Sequence, residues 1–118
     1  MLPAQFRMTR PAEFGATIKH GVRAAQPDIV VHARRDSDTP GGPRIGLVVA
    51  KSVGNAVQRH QVSRRLRHVA RAVLPDLTPD DRIVIRALPG SLQAISARLE
   101  SQLRTGLRRT HDLMEKAR

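Results

Sequence analysis

The sequence predicts one mixed α/β domain whose elements run helix, three strands, helix, strand, helix. Three observations predict it. At 118 residues the chain has room for one core and not two. Runs rich in β-branched residues read as strands, and they alternate with segments whose apolar residues recur at helical spacing. Pro and Gly punctuate the chain between these segments, and no internal repeat, low-complexity tract or interdomain linker interrupts it.

Pro11 opens a short helix in which Phe14 and Ile18 lie one turn apart and which Gly21 stops. A short extended piece at 22–25 precedes a strand at 29–33, Ile-Val-Val-His-Ala. Residues 34–43 are dense in Asp, Pro and Gly and are expected to be a surface loop with a mobile tip. The next strand, 44–51, is apolar on both faces, which suggests a central place in the sheet. A helix then runs from about 55 to 74 and stops before Pro75, whose ring disfavours helical geometry in the residue before it. Residues 77–81 form a loop, and 82–88 the last strand. After the Pro89-Gly90 turn, Ser91 is placed to cap a long final helix with Leu92, Ile95, Leu99, Leu103 and Leu107 on its apolar stripe. Arg98, Arg104, Arg108 and Arg109 lie off that stripe.

The 55–74 helix carries the strongest functional signal. At about 100° per residue, Val62, Leu66, Val69, Ala70 and Val73 share one arc, while His60, Arg64, Arg67 and Arg71 form a stripe facing the other way. No Asp or Glu lies between Arg44 and Arg71, so this cationic ladder repels itself unless a polyanion lies across it. The whole chain carries 21 Lys and Arg against 10 Asp and Glu, a formal charge of +11, yet is 40% hydrophobic. It therefore has the means to fold, and nucleic acid is the partner its charge fits best. With two Phe and no Tyr or Trp, backbone contacts and arginine must carry most of the affinity.

Catalytic chemistry is poorly represented. Asp36 and Asp38 sit in a loop, Asp80 and Asp81 precede a strand, and the five histidines show no metal-ligand spacing. No nucleophile motif or phosphate-cradling loop is present, and the absence of cysteine excludes disulfides and thiolate metal sites. These features argue for binding without a catalytic or metal centre of the protein's own. No apolar run approaches a membrane span and residues 1–10 lack a signal-peptide core, so the expected location is the cytoplasm, away from membranes.

Three consecutive stretches, Arg44-Ile-Gly-Leu-Val-Val-Ala-Lys51, Val53-Gly-Asn-Ala-Val57 and Arg59-His-Gln-Val-Ser-Arg-Arg-Leu66, resemble the bacterial ribonuclease P protein subunit family. That family shows a Lys-rich turn, Gly-Asn-Ala-Val, one more residue, then Arg-Asn-Arg, an apolar residue and Lys-Arg. Order and spacing match without a gap. The likeness extends more loosely to Phe14, His20-Gly21 and residues 82–88. His60 and Gln61 depart from Arg-Asn-Arg, and Ser63 replaces a basic residue, for which Arg65 partly compensates. Ile18 and His32 stand where family members carry aromatic rings.

The resemblance implies a two-layer α/β sandwich of the α+β kind, in which a mostly antiparallel four-stranded sheet packs with three helices in the order αβββαβα. It also implies a left-handed βαβ crossover, against the usual right-handed rule. It implies a single domain spanning residues 1–118 that serves as one subunit of an endoribonuclease whose RNA performs the hydrolysis with Mg2+, removing the 5′ leader of precursor tRNA. The protein would bind no cofactor alone and would pair 1:1 with the catalytic RNA. Lys51, Ser52, Asn55, Arg59, His60, Gln61, Arg64, Arg65 and Arg67 would face that RNA. Phe14, Ile18, Lys19, His32 and Arg86 would border the cleft for the leader. Arg59 falls near the apolar arc, so it either belongs to an irregular first turn or snorkels past the sheet. The alternative is a basic structural RNA-binding protein of the ribosome type; a helix-turn-helix DNA binder and a stand-alone nuclease fit less well, lacking the partner helix and the carboxylates respectively.

Overall fold

The computed structural model describes residues 2–38 and 41–116. Its main elements are α1 (Pro11–His20), β1 (Val22–Ala25), β2 (Ile29–Arg35), β3 (Arg44–Val48), α2 (Ala56–Val73), β4 (Asp81–Ala87) and α3 (Ser96–Lys116). The order is the expected αβββαβα. The four strands lie as β1-β2-β4-β3, with β1/β2 and β2/β4 antiparallel and β3/β4 parallel. That parallel pair is joined through α2, because parallel neighbours cannot be linked by a tight turn.

Strand alternation divides the sheet into two unlike faces. On one, Ile29, Val31, Ala33, Ile45, Ile83 and Ile85 pack against Val62, Leu66, Val69, Ala70 and Val73 of α2 and Leu99, Leu103 and Leu107 of α3. The apolar arc read from the α2 sequence is thus the buried one, and removal of this surface from water is the main force holding the layers together. The opposite face presents three cross-strand rows: Arg34, Arg82 and Arg44; then Arg23, His32, Val84 and Gly46; then Ala25, Val30, Arg86 and Val48. Helix α1 packs on this second face. A Cβ at Gly46 would come within 2.5 Å of the Phe14 ring, so only glycine lets the ring approach β3 this closely.

Several expectations are corrected. Strand β3 is at the edge of the sheet, and its central partner is β4. It is apolar on both sides because both faces are covered and its outer edge is closed by the N-terminal segment: Arg7 bridges Ile45, and the Met8 N–H donates to the Ile45 carbonyl at 2.9 Å. The strand also ends at Val48, and residues Lys51–Val53 wind into a 3-10 turn. Strand β2 continues through Arg34 and Arg35, which pair with Arg82 and Asp81, so the loop starts two residues later than expected. The loop tip at Thr39 and Pro40 lies outside the described residues.

Ser91 does not cap the last helix. Its hydroxyl donates to the Leu88 carbonyl within a separate turn, Pro89–Leu92, and α3 begins at Ser96. Ile95 consequently falls before the helix and is 68% exposed, while Ala94 is buried in its stead. Gly21 does terminate α1, in extended rather than left-handed conformation; a Cβ there would strike the carbonyl oxygens of Thr17 and Ala33.

Candidate nucleic-acid interface

The first cluster of expected site residues is built on the entry to α2. Lys51 and Ser52 are exposed on the 3-10 turn that feeds the helix. Asn55 is the N-cap: its Oδ1 accepts from the Gln58 N–H at 2.8 Å, and Gln58 Oε1 accepts from the Asn55 N–H at 2.9 Å. This reciprocal capping box fixes where the helix starts and therefore which side chains share its outer face. His60, Gln61, Arg64 and Arg71 are exposed there, and Arg67 is half-buried.

Arg59 and Arg65 differ from their neighbours. Arg59 is half-buried, and its Nε, shielded from solvent, has no acceptor among the described residues. Arg65 turns toward the segment before α3 and donates to the carbonyls of Ala94 at 2.5 Å and Leu92 at 3.0 Å. With Gln61, Arg64, His68 and Ser96 it lines an open groove of about 530 Å³. His68 and Ser96 were not anticipated as site residues. The spacing of Gln61, Arg64 and His68 along one helix face pointed to His68, whereas Ser96 comes alongside only through the packing of α3.

Charge pairing separates these arginines from five others. Arg34 pairs with Asp36, Arg35 with Asp81 and Glu115, Arg82 with Glu13, Arg98 with Asp28, and Arg104 with Asp76 and Glu100. Among the described residues no carboxylate reaches Arg59, Arg64, Arg65, Arg67 or Arg71. The acids in these pairs stabilise other faces, and the arginines of α2 keep their positive charge uncompensated.

The second cluster lies on the sheet face beneath α1. His32 is only 4% exposed, its Nε2 has no partner among the described residues, and Arg23 stands directly across the β1–β2 pair from it. Arg86 is half-buried in the adjoining row, with its Nε likewise lacking an acceptor among the described residues. Burial first, then the charges of Arg86 and Arg23, hold the His32 imidazole below its usual pKa and keep it neutral near pH 7. Phe14 covers Gly46 at one edge of this row. Ile18, one turn on, is 42% exposed, and Lys19 is exposed about 100° further round the helix. Arg23 was missed from sequence, although its register opposite His32 follows once the hairpin through residues 26–28 is recognised.

Among the described residues no group of three or more His, Asp or Glu is placed to hold a metal ion. The two faces together offer cations, amides and hydroxyls, the donor set of a phosphate-binding surface. A protein-family model described as Ribonuclease P matches residues 2–111. The chain belongs to that family. It is 68% identical over 112 residues to the ribonuclease P protein component of Mycobacterium avium, covering 92% of this chain and 94% of the relative. The corresponding protein of Mycolicibacterium vanbaalenii is 66% identical over 110 residues, covering 92% of each. Membership makes the chain the protein component of an endoribonuclease that processes tRNA, and the ribosomal-scaffold alternative falls away.

Solved structures agree on the fold. The ribonuclease P protein of Staphylococcus aureus superimposes with a TM-score of 0.77 at 22% identity, covering 87% of this chain and 93% of that one. That of Thermotoga maritima gives 0.72 at 19% identity, covering 84% and 92%. No helix among the described residues is long and apolar enough to cross a membrane.

Proposed function

We propose that the protein grips the catalytic RNA of ribonuclease P along the outer face of α2 and receives the 5′ leader of precursor tRNA beneath α1. The observation that carries this reading is the concentration of unpaired charge on one helix: five arginines of α2, Arg59, Arg64, Arg65, Arg67 and Arg71, lack carboxylate partners among the described residues, while Arg34, Arg35, Arg82, Arg98 and Arg104 elsewhere have them. Lys51, Ser52, Asn55, Arg59, His60, Gln61, Arg64, Arg65 and Arg67 form the RNA-facing set, with Arg65 anchored at its tip to the α3 approach. Their work is to neutralise phosphates where catalytic RNA and substrate crowd together, which supports the metal-dependent fold of the RNA. Phe14, Ile18, Lys19, His32 and Arg86 border the leader path, joined by Arg23. There Phe14 offers one ring for stacking, and the arginines and the imidazole offer donors to the strand.

In this reading one protein binds one RNA, and hydrolysis belongs to the RNA and the Mg2+ it holds. The protein's residues position and screen; none of them moves a proton. The test is precursor tRNA incubated at low Mg2+ with protein alone, catalytic RNA alone, and both. The reading predicts 5′ maturation with both at Mg2+ concentrations where the RNA alone is slow. Cleavage by protein freed of RNA would reject it.

A further inference from the structure

A second cationic surface lies at the far end of β3 from the α2 face. Arg7, Arg10, Arg34 and Arg44 line a groove of about 670 Å³ beside the start of α1. Three of the four are held in place by neutral oxygens: Arg7 Nε donates to the Leu2 carbonyl, Arg44 Nη1 to the carbonyls of Gly41 and Gly42, and Arg34 Nε to Thr17 Oγ1. Such anchoring fixes a guanidinium without cancelling its charge. Arg34 also pairs with Asp36, but among the described residues no carboxylate reaches Arg7, Arg10 or Arg44. The one acid lining the groove, Glu13, faces the buried guanidinium of Arg82 at 3.4 Å.

The groove adjoins the leader side of the sheet without sharing its residues, and it is separate from the α2 face. Arg34 and Arg44 belong to the first cross-strand row, whereas His32 and Arg86 occupy the second and third, and Phe14 covers the second at Gly46. Lys51, the start of the α2 face, is seven residues beyond Arg44. Strand β3 alone, Arg44–Val48, runs four extended steps of about 3.3 Å, roughly 13 Å, which already exceeds the roughly 8 Å over which exposed charges interact at physiological salt. The two surfaces therefore act on different stretches of any polyanion they meet. We infer that the Arg7, Arg10, Arg34 and Arg44 groove is a further RNA-binding site, which takes the phosphodiester backbone of a strand running past the start of α1. Pre-positioned guanidinium forks suit phosphate oxygens, and among the described residues no aromatic side chain lines the groove.

This inference rests on the RNA-binding reading above, and the phosphates it takes belong either to the catalytic RNA or to the substrate. Arg10 is the residue to change, because it is exposed and among the described residues its hydrogen bonds use only its backbone carbonyl. Wild type, Arg10→Ala, Arg10→Glu and an Arg109→Glu control on the exposed surface of α3 are compared after melting curves confirm folding. One arm measures binding to the catalytic RNA across a salt series; the other measures binding of preassembled holoenzyme to precursor tRNA. Arg10→Glu is expected to weaken one arm about five- to tenfold beyond the control, and Arg10→Ala to flatten its log-log salt slope by about one. A loss in the first arm assigns the groove to the catalytic RNA, a loss in the second to the substrate. Arg10→Glu tracking Arg109→Glu in both arms would overturn the inference while leaving the α2 reading intact. A wild-type protein that bound neither RNA would reject both.

Discussion

Arg64 and Arg65 are consecutive residues of α2, and the helix turns them to different work. Arg64 is exposed and meets no carboxylate among the described residues, whereas Arg65 bonds two carbonyls of the segment leading into α3. Arg65→Ala is therefore expected to lower unfolding stability by about 1.5 to 3 kcal/mol, the usual contribution of hydrogen bonds from a charged donor. Arg64→Ala leaves stability within about 0.5 kcal/mol and instead weakens RNA binding. Denaturant titration of both variants separates the roles. His32 carries a pH signature. Its pKa lies below 6.5 in the folded protein, so the folded state binds fewer protons than the unfolded chain. Its contribution to stability is fully present above about pH 6.5 and is lost as pH falls from there toward the folded value. Between pH 7.5 and 5 the wild-type melting temperature is expected to fall relative to that of His32→Phe, which lacks this titration, after subtraction of the shared background. A leader phosphate beside the imidazole favours its protonated form, so leader affinity rises over the same interval in wild type only.

At the scale of elements, Asn55 joins architecture to recognition. Asn55→Ala removes the acceptor of the capping box and is expected to lower stability by about 1 kcal/mol. Asn55→Asp keeps that acceptor but sets a negative charge among Lys51, Arg59 and the RNA; it is expected to hold stability and weaken binding, measured by melting and by filter binding. Such local features were legible in the sequence because they depend on neighbours in the chain. The α2 arc, the Gly-Asn break and the helix, strand and turn order all follow from periodicity and short-range chemistry. What was not legible depends on distant partners. Nothing in the apolar run of β3 distinguishes a central strand from an edge strand whose faces and rim are covered by α1, α2 and the N-terminal segment. Ser91 satisfies the local pattern of a cap, yet its hydroxyl closes a separate turn on Leu88, and the helix starts at Ser96. The pairing of His32 with Arg23 required the hairpin register, and the anchoring of Arg65 to the carbonyls of Leu92 and Ala94 required the packing of α3.

At the scale of the whole molecule, a chain of +11 charge distributes its few acids so that one helix face stays uncompensated. Diffuse positive charge would give binding that depends only on the total. A defined face makes binding depend on position, and two charge-matched double variants distinguish these cases. Arg64→Glu/Arg71→Glu alters the exposed stripe of α2, and Arg108→Glu/Arg109→Glu alters exposed arginines of α3 by the same net charge. Both pairs leave the buried core untouched. Equilibrium binding to the catalytic RNA, measured across a salt series, is predicted to fall about tenfold further for the α2 pair, with a log-log salt slope flattened by about two relative to wild type. Equal losses and equal slopes for the two pairs would contradict the account, because the charge of the chain, and not the face that α2 presents, would then be what the RNA recognises.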